Sequence, residues 1–166
     1  MAAARPARLD DCSRLAELWG AAQEELRPQR GGWLLVASSA RARAPAASFR
    51  EQLADPARHL VVGVGQDGRV VGYGSCRART LADGQRVGSL EELYVEPAAR
   101  RQGVGRAIAA QLVDWCCQQG CCGLDGLALP GNRAAKSFFE AAGFTARLLV
   151  MHRRLDEQGQ RCRPRP

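Results

Sequence analysis

Lysine is almost missing from this chain: Lys136 stands alone among 24 basic residues. Histidine and methionine each occur twice, and aromatic residues make up 5% of the 166 positions. The formal charge of +7 would suit a polyanion, yet the arginines that carry it are scattered among alanines and glycines. They form no stripe and no aromatic-lined groove motif, which argues against nucleic acid. Nor is there an apolar run of the ~18 residues that a membrane-crossing helix needs. The opening MAAARPARLDDC lacks the apolar core of a secretory leader, so the expected location is cytoplasmic.

Scarce histidine also limits what the seven cysteines can do. Zinc sites pair Cys-x2-4-Cys units, often with histidine, across a dozen residues or more. Here CCQQGCC crowds two vicinal pairs into positions 116–122, and the only histidines are His59 and His152. Disulfides are disfavoured in a reducing compartment. Cys116 and Cys117 are read instead as the end of a helix stopped by Gly120, with Cys121 and Cys122 leading into a buried strand as small apolar residues. No metal is expected.

What remains is an ordinary globular composition, 46% hydrophobic and 25% charged, in a chain of single-domain length. Residues 1–155 form the domain in this reading, and the polar tail 156–166 is expected to be disordered. Residues 3–8 suit a first strand. Asp10 or Asp11 can cap a helix to about Arg27, with Leu15, Leu18, Trp19, Ala22 and Leu26 on one face. The following stretch, RPQRGGWLLVASSARARAP, is rich in turn formers and reads as a loop or as a short helix between loops. Phe49 and Leu53 mark a helix over 46–54 that ends before Pro56.

HLVVGVG and RVVGYGSCRART read as a hairpin turning at Asp67-Gly68. SLEELYV is a third extended run. Val104, Ile108, Leu112 and Trp115 or Cys116 then recur at helical spacing. GLDGLAL is a short strand, and Asn132 caps a helix over 133–142 ended by Gly143. FTARLLVMHRRL is expected to close the sheet. The order describes one α/β domain with an antiparallel front half and a strand–helix–strand unit behind it.

Between LEELYVEP and the helix from Val104 lies Arg100-Arg101-Gln102-Gly103-Val104-Gly105-Arg106. Free N–H groups and the helix dipole make such a junction attractive to anions. A P-loop would need Lys-Ser/Thr where Arg106-Ala107 stand. A dinucleotide fingerprint would need a third glycine or alanine where Ile108 stands, and it would come early in the chain.

Arg100-x-x-Gly103-x-Gly105 instead resembles the Gln/Arg-x-x-Gly-x-Gly/Ala loop of the GNAT superfamily, the acyl-CoA-dependent N-acetyltransferases. LEELYVEP resembles that family's central strand, and RPARLDDCSRLAEL its opening strand and helix. PGNRAAKSFFEAAGF resembles its Asn-x2-Ala-x2-Phe-Tyr-x3-Gly-Phe segment. The specific likeness spans residues 88–145. It implies a mixed twisted sheet whose central parallel pair is splayed, helices on both faces, and acetyl-CoA as cosubstrate. Backbone N–H groups from Arg101 through Gln102, Gly103, Val104 and Gly105 to Arg106 would wrap the pyrophosphate, with Arg100 or Arg106 adding charge. Leu93, Tyr94 and Val95 would bind the pantetheine arm as an added strand. Asn132 would contact the same arm, besides capping its helix, and Phe139 would pack against it. A homodimer is implied at the level of the family.

Acetyl transfer requires a neutral amine, and a lysine-like amine titrates near pH ~10.4. The resemblance points to Glu91 and Glu92 as candidate bases, with Glu91 matching the family's position better. Simple alternation of side chains would turn the two to opposite faces of the strand. Phe139 departs from the family, because many members place there a tyrosine that protonates the leaving thiolate. Tyr73, Tyr94 or water would have to serve, or the thiolate leaves unaided. A backbone N–H of Val95 or Leu93 would hold the developing oxyanion.

An acetyl-CoA-dependent N-acetyltransferase and a catalytically silent acyl-CoA-binding module both fit these residues. The acceptor would be read by residues 20–58 and 80–88, where Glu24, Glu25, Glu51 and Asp55 could attract a cation. Amino acid, polyamine, aminoglycoside and protein amine all remain open on the sequence.

Overall fold

The computed structural model describes residues 3–153, so the tail 156–166 lies outside the described residues. Five strands form one sheet in the order β1 (Ala3–Pro6), β2 (Arg58–Val64), β3 (Val70–Thr80), β4 (Arg86–Val95) and β5 (Cys121–Gly126). The first four pair antiparallel, and β5 pairs parallel to β4. Such a parallel neighbour needs a crossover, and α4 (Val104–Gln118) supplies it.

Each face of the sheet has its own core. On one, α1 (Cys12–Leu26) and α3 (Pro45–Ala54) bury Leu15, Leu18, Trp19 and Phe49 against Leu60, Val62 and Tyr73. On the other, α4 buries Val104, Ile108 and Leu112 against Val61, Cys76 and Leu90. The α4 helix can lie this close because β2 and β3 carry glycines beneath it. A Cβ at Gly74 would come within 2.6 Å of Ile108, and one at Gly63 would overlap Val104. That approach sets where the N-terminus of α4 ends up, and with it the loop before α4.

The chain enters α1 differently from the expected cap. Asp11 directs its carboxylate away from the helix. It accepts from the Arg8 N–H at 2.8 Å and from both terminal nitrogens of Arg5 at 2.7 and 2.9 Å. The Arg5 hydrogen bonds, aided by the Arg8 amide, hold the Asp11 carboxyl below its usual range against the opposing effect of burial. A depressed carboxylate stabilises the fold above its unfolded pKa and loses that contribution as pH falls through the folded value. Asp11→Asn should therefore cost about 1–3 kcal/mol at pH 7, shrinking towards zero near pH 2. Urea titrations at the two pH values read this directly.

Between α1 and α3 the ambiguous stretch holds a short helix, α2 (Gly32–Ala37), and a 3-10 turn, Ala40–Arg43. The helix over Arg133–Ala141, α5, is capped by Asn132, whose side chain accepts from the Ala135 N–H at 2.9 Å.

Three expectations need correction. FTARLLVMHRRL does not close the sheet, because its described part joins no strand ladder. Leu148 to Met151 run apolar without alternation and lie exposed; a strand with no inner and outer face has little to fix its register. The segment is tied to β5 through Arg147, which is ion-paired with Asp125. Second, β5 is not a buried strand. Cys122 and Gly123 are exposed and the rest only half-buried. Third, alternation breaks at a bulge in β4: Leu90 pairs with Cys76 while Glu92 pairs with Ser75, leaving Glu91 as the extra residue.

Candidate active site

The β4 and β5 strands part company halfway along. Their register runs from Arg86↔Cys121 to Leu90↔Gly126, while β4 continues to Val95. From Glu91 to Val95 the backbone edge facing β5 is thus open, and it leads to the loop before α4. Main-chain groups left open in this way are the docking edge for an extended ligand.

At the end of that edge the chain makes a tight reversal. Arg101 and Gly103 both take left-handed backbone angles, with φ 62° and 89°. Gly103 sits at the N-cap of α4, and its carbonyl accepts the first helical bond from Ala107. The N–H groups of Val104, Gly105 and Arg106 consequently have no acceptor inside the helix. A Cβ at Gly105 would meet only Phe138 at 3.4 Å and Val95 at 3.6 Å. The residues present fit an acyl-CoA: an open strand edge for the arm, free amides and a helix N-terminus for the phosphates, and a bare main chain at Gly105 between them.

Not every expected residue faces this groove with a free charge. Arg100 makes a bidentate pair with Glu25 of α1 and donates from Nε to the Val95 carbonyl at 2.8 Å. Its guanidinium also lies 5.6 Å from the Tyr94 ring centroid. Arg100 thus braces the end of β4 against α1. Arg101, Gln102 and Arg106 are exposed. Across the groove, Asn132 donates to Gln29 Oε1 at 2.9 Å while capping α5.

Of the two phenylalanines on α5, Phe139 packs over Gly126 at the end of β5 and against Phe144. Phe138 is the ring beside Gly105. The family-like pattern points to Phe139; Phe138, 100° around the helix from it, carried no such signal in the sequence.

The bulge in β4 sets where the two carboxylates lie. Two residues after Leu90, which packs with α4, Glu92 emerges on the opposite face beside Ser75, whose hydroxyl donates to it at 3.3 Å. Arg41, from the 3-10 turn, donates to Glu92 Oε2 at 3.0 Å. Burial pushes the Glu92 carboxyl above the usual carboxylate range, while Arg41 and the Ser75 hydroxyl pull it back. Glu91, the bulged residue, is ion-paired with Arg58 of β2. Ser39, Arg41, Ser48, Glu51, Gln52, Asp55, Arg58 and Glu92 line one open, polar cavity of about 370 Å³. Of these, Arg41, Arg58, Ser39, Ser48 and Gln52 carried no signal in the sequence, where they are single polar residues in turns and on helix faces.

The two tyrosines sit in different surroundings. Tyr73 is buried in the core with its ring edge-on to Phe49 at 5.6 Å, and burial holds its phenol well above the usual range. Tyr94 lies against Arg100, and burial followed by Glu25 also raises its pKa.

The chain is similar to known proteins along most of its length. A model described as the Acetyltransferase (GNAT) family matches residues 16–144. Aminoglycoside N(6')-acetyltransferase type 1 of Klebsiella aerogenes is 36% identical over 97 residues, a match that takes in 57% of this chain and 63% of that protein. A Trypanosoma brucei acetyltransferase shares the fold with a TM-score of 0.68 at 24% identity, over 94% of this chain and 99% of that one. AAC(6')-Iy, solved with the bisubstrate analogue CoA-S-monomethyl-acetylneamine, superimposes with a TM-score of 0.70 at 20% identity, over 93% and 99% of the two chains.

Proposed function

Because the chain belongs to the acetyltransferase (GNAT) family, we propose that it transfers the acetyl group of acetyl-CoA to a primary amine of a small, hydroxylated, cationic acceptor of the aminoglycoside kind. Attack is direct, within a ternary complex. The observation that carries this reading is the position of Glu92. It stands where the open edge of β4 begins and at the same time lines the polar cavity. Donor and acceptor thus meet at one carboxylate.

The acetyl thioester supplies an activated acyl carbon. The protein's part is to place it and to manage protons. The main chain of Leu93, Tyr94 and Val95 aligns the arm along β4. The amides of Val104, Gly105 and Arg106, at the positive end of α4, hold the phosphates. Phe138 closes one side of the groove beside Gly105, with Phe139 filling the space behind it. Glu92, raised by burial, takes the proton that the incoming ammonium must lose. Glu91 serves by holding Arg58 at the rim. With Tyr73 buried and phenylalanine at 139, the departing thiolate takes its proton from water, an acceptable course for a thiol of pKa ~8.5.

The acceptor class rests on the named specificity of the Klebsiella relative and on a polar cavity lined by the carboxylates of Glu51, Asp55 and Glu92, the last two paired with Arg58 and Arg41. A silent acyl-CoA-binding module is the second reading, favoured by Phe139. A thermal-shift titration separates them. Acetyl-CoA at about 100 times its dissociation constant should add ~2.7 kcal/mol of stability, and ATP should add none. In Gly105→Ala, the new methyl comes against Phe138 and Val95, narrowing the groove beside the α4 amides; stability without ligand should change by less than ~1 kcal/mol, and most of the acetyl-CoA shift should vanish. Release of free thiol that depends on an aminoglycoside supports transfer. Stabilisation without thiol release from any amine supports the silent module.

A further inference from the structure

The polar cavity contains a cation of its own. The side chains of Arg41 and Glu92 are 9% and 21% exposed, and a carboxylate so enclosed needs a partner. Arg41 reaches it from a four-residue 3-10 turn, Ala40–Arg43, that has no side-chain cap. Apart from Glu92, its guanidinium touches Gln52 Oε1 at 3.3 Å and rests 4.0 Å over the Phe49 ring. The other groups around Glu92 do not replace it. Arg58 on β2 is engaged with Asp55 and Glu91. Ser75 and Tyr73 on β3 are neutral, while Glu91 on β4, Glu51 on α3 and Asp55 at the end of α3 are acidic. Among the described residues, Arg41 is the one cation in ion-pair contact with Glu92.

We propose that Arg41 is a displaceable counterion for Glu92: the ammonium of the acceptor takes the place of the guanidinium, so Arg41 tunes both amine binding and proton acceptance. The inference rests on the transfer reading for its kinetic consequences, though not for the displacement itself. Arg41 and Ser75 both donate to Glu92 Oε2, and an ammonium that approaches this enclosed carboxylate to lose its proton is repelled by the guanidinium already there. While Arg41 is in place, Glu92 is held ionised and is a weak base. When the amine displaces Arg41, its ammonium is the one cation left beside Glu92, and once its proton has passed to the carboxylate no positive charge remains there to oppose the protonated form. One proton then passes from nitrogen to Glu92, leaving a neutral amine with its electron pair free. The return of Arg41 favours release of that proton to solvent and restores the ion pair. Arg41 is thereby a positioning residue that acts through Glu92.

The test uses the full chain and two probes, spermidine and kanamycin. The Nε–H NMR signal of Arg41, assigned by its loss in Arg41→Met, should shift or broaden as either amine is added. In Glu92→Gln, where the carboxylate is gone, it should already lie at its displaced position. In kinetics, Arg41→Met keeps an unbranched stem over Phe49 and removes the charge. The KM of the acceptor should fall roughly tenfold, and the acidic limb of kcat/KM should move up by about 1 pH unit or more. Arg41→Lys, which keeps the charge, should leave that limb within about half a unit. An acetyl-CoA thermal shift equal to that of the parent shows that each variant is folded. An Arg41 signal unmoved at saturating amine overturns the proposal. So does an Arg41→Met variant with raised KM and an unchanged pH limb, since that describes an ordinary acceptor contact. If Arg41 responds but neither amine releases thiol, the transfer reading fails and the displacement stands. If thiol is released while Arg41 stays put, the reverse holds.

Discussion

Glu92→Gln should lower turnover by about 10²- to 10⁴-fold, the usual contribution of a positioned base, while leaving the acetyl-CoA thermal shift intact. Glutamine keeps the size of the side chain and can still accept from Ser75, but it has neither the charge that holds Arg41 nor a site for the amine's proton. Glu91→Gln is the contrasting variant. Its carboxylate lies at the bulge and is paired with Arg58, so the expected loss is less than ~10-fold. The pH profile adds a second readout. A base works only when ionised, so the rate falls as pH drops through the pKa of Glu92. Burial raises that pKa, and the acidic limb should lie above the ~4.3 of a free glutamate. Were Glu91→Gln the variant that lost turnover and its acidic limb, the base assignment would pass to Glu91, the residue that the family-like spacing favoured.

Phe49→Ala should destabilise the fold by about 3–5 kcal/mol, as for other buried aromatic truncations. Phe49 is fully buried between α1 and the sheet, edge-on to Tyr73. Its outer face carries the Arg41 guanidinium, so the same truncation also frees Arg41. Phe49→Leu, which restores most of the volume but no aromatic face, should recover more than half of the stability yet leave Arg41 unsupported. Urea denaturation of the two variants separates packing from the cation–ring contact. A cost under ~1 kcal/mol for alanine would mean that the α1–α3 core is not packed as described.

Much of the fold was legible because local chemistry dictated it. The Asp67-Gly68 turn sets the β2–β3 hairpin, with Gly68 at φ 79°. The 3.6-residue recurrence of Val104, Ile108 and Leu112 defines α4, and Asn132 with Gly143 brackets α5. The reversal before α4 was legible too, since left-handed backbone at Gly103 is a requirement written in residue type. The acceptor side was not. Arg41, Gln52 and Glu92 come from a 3-10 turn, a helix and a strand, and no spacing rule links them.

The misreadings share a cause. Alternation predicts opposite faces for Glu91 and Glu92, but one extra residue in β4 resets the count. Register is a property of the paired strands, β3 included, and cannot be read from β4 alone. Likewise Tyr73 offers a phenol in sequence, and only the packing of α1 and α3 removes it from the site. Sequence by itself therefore determined the longer helices, the hairpin turn and the glycine positions before α4, where the physics lies within a few neighbouring residues. Tertiary structure alone decided which carboxylate meets the open edge of β4 and which arginine neutralises it, because both depend on burial and charge contributed by distant segments.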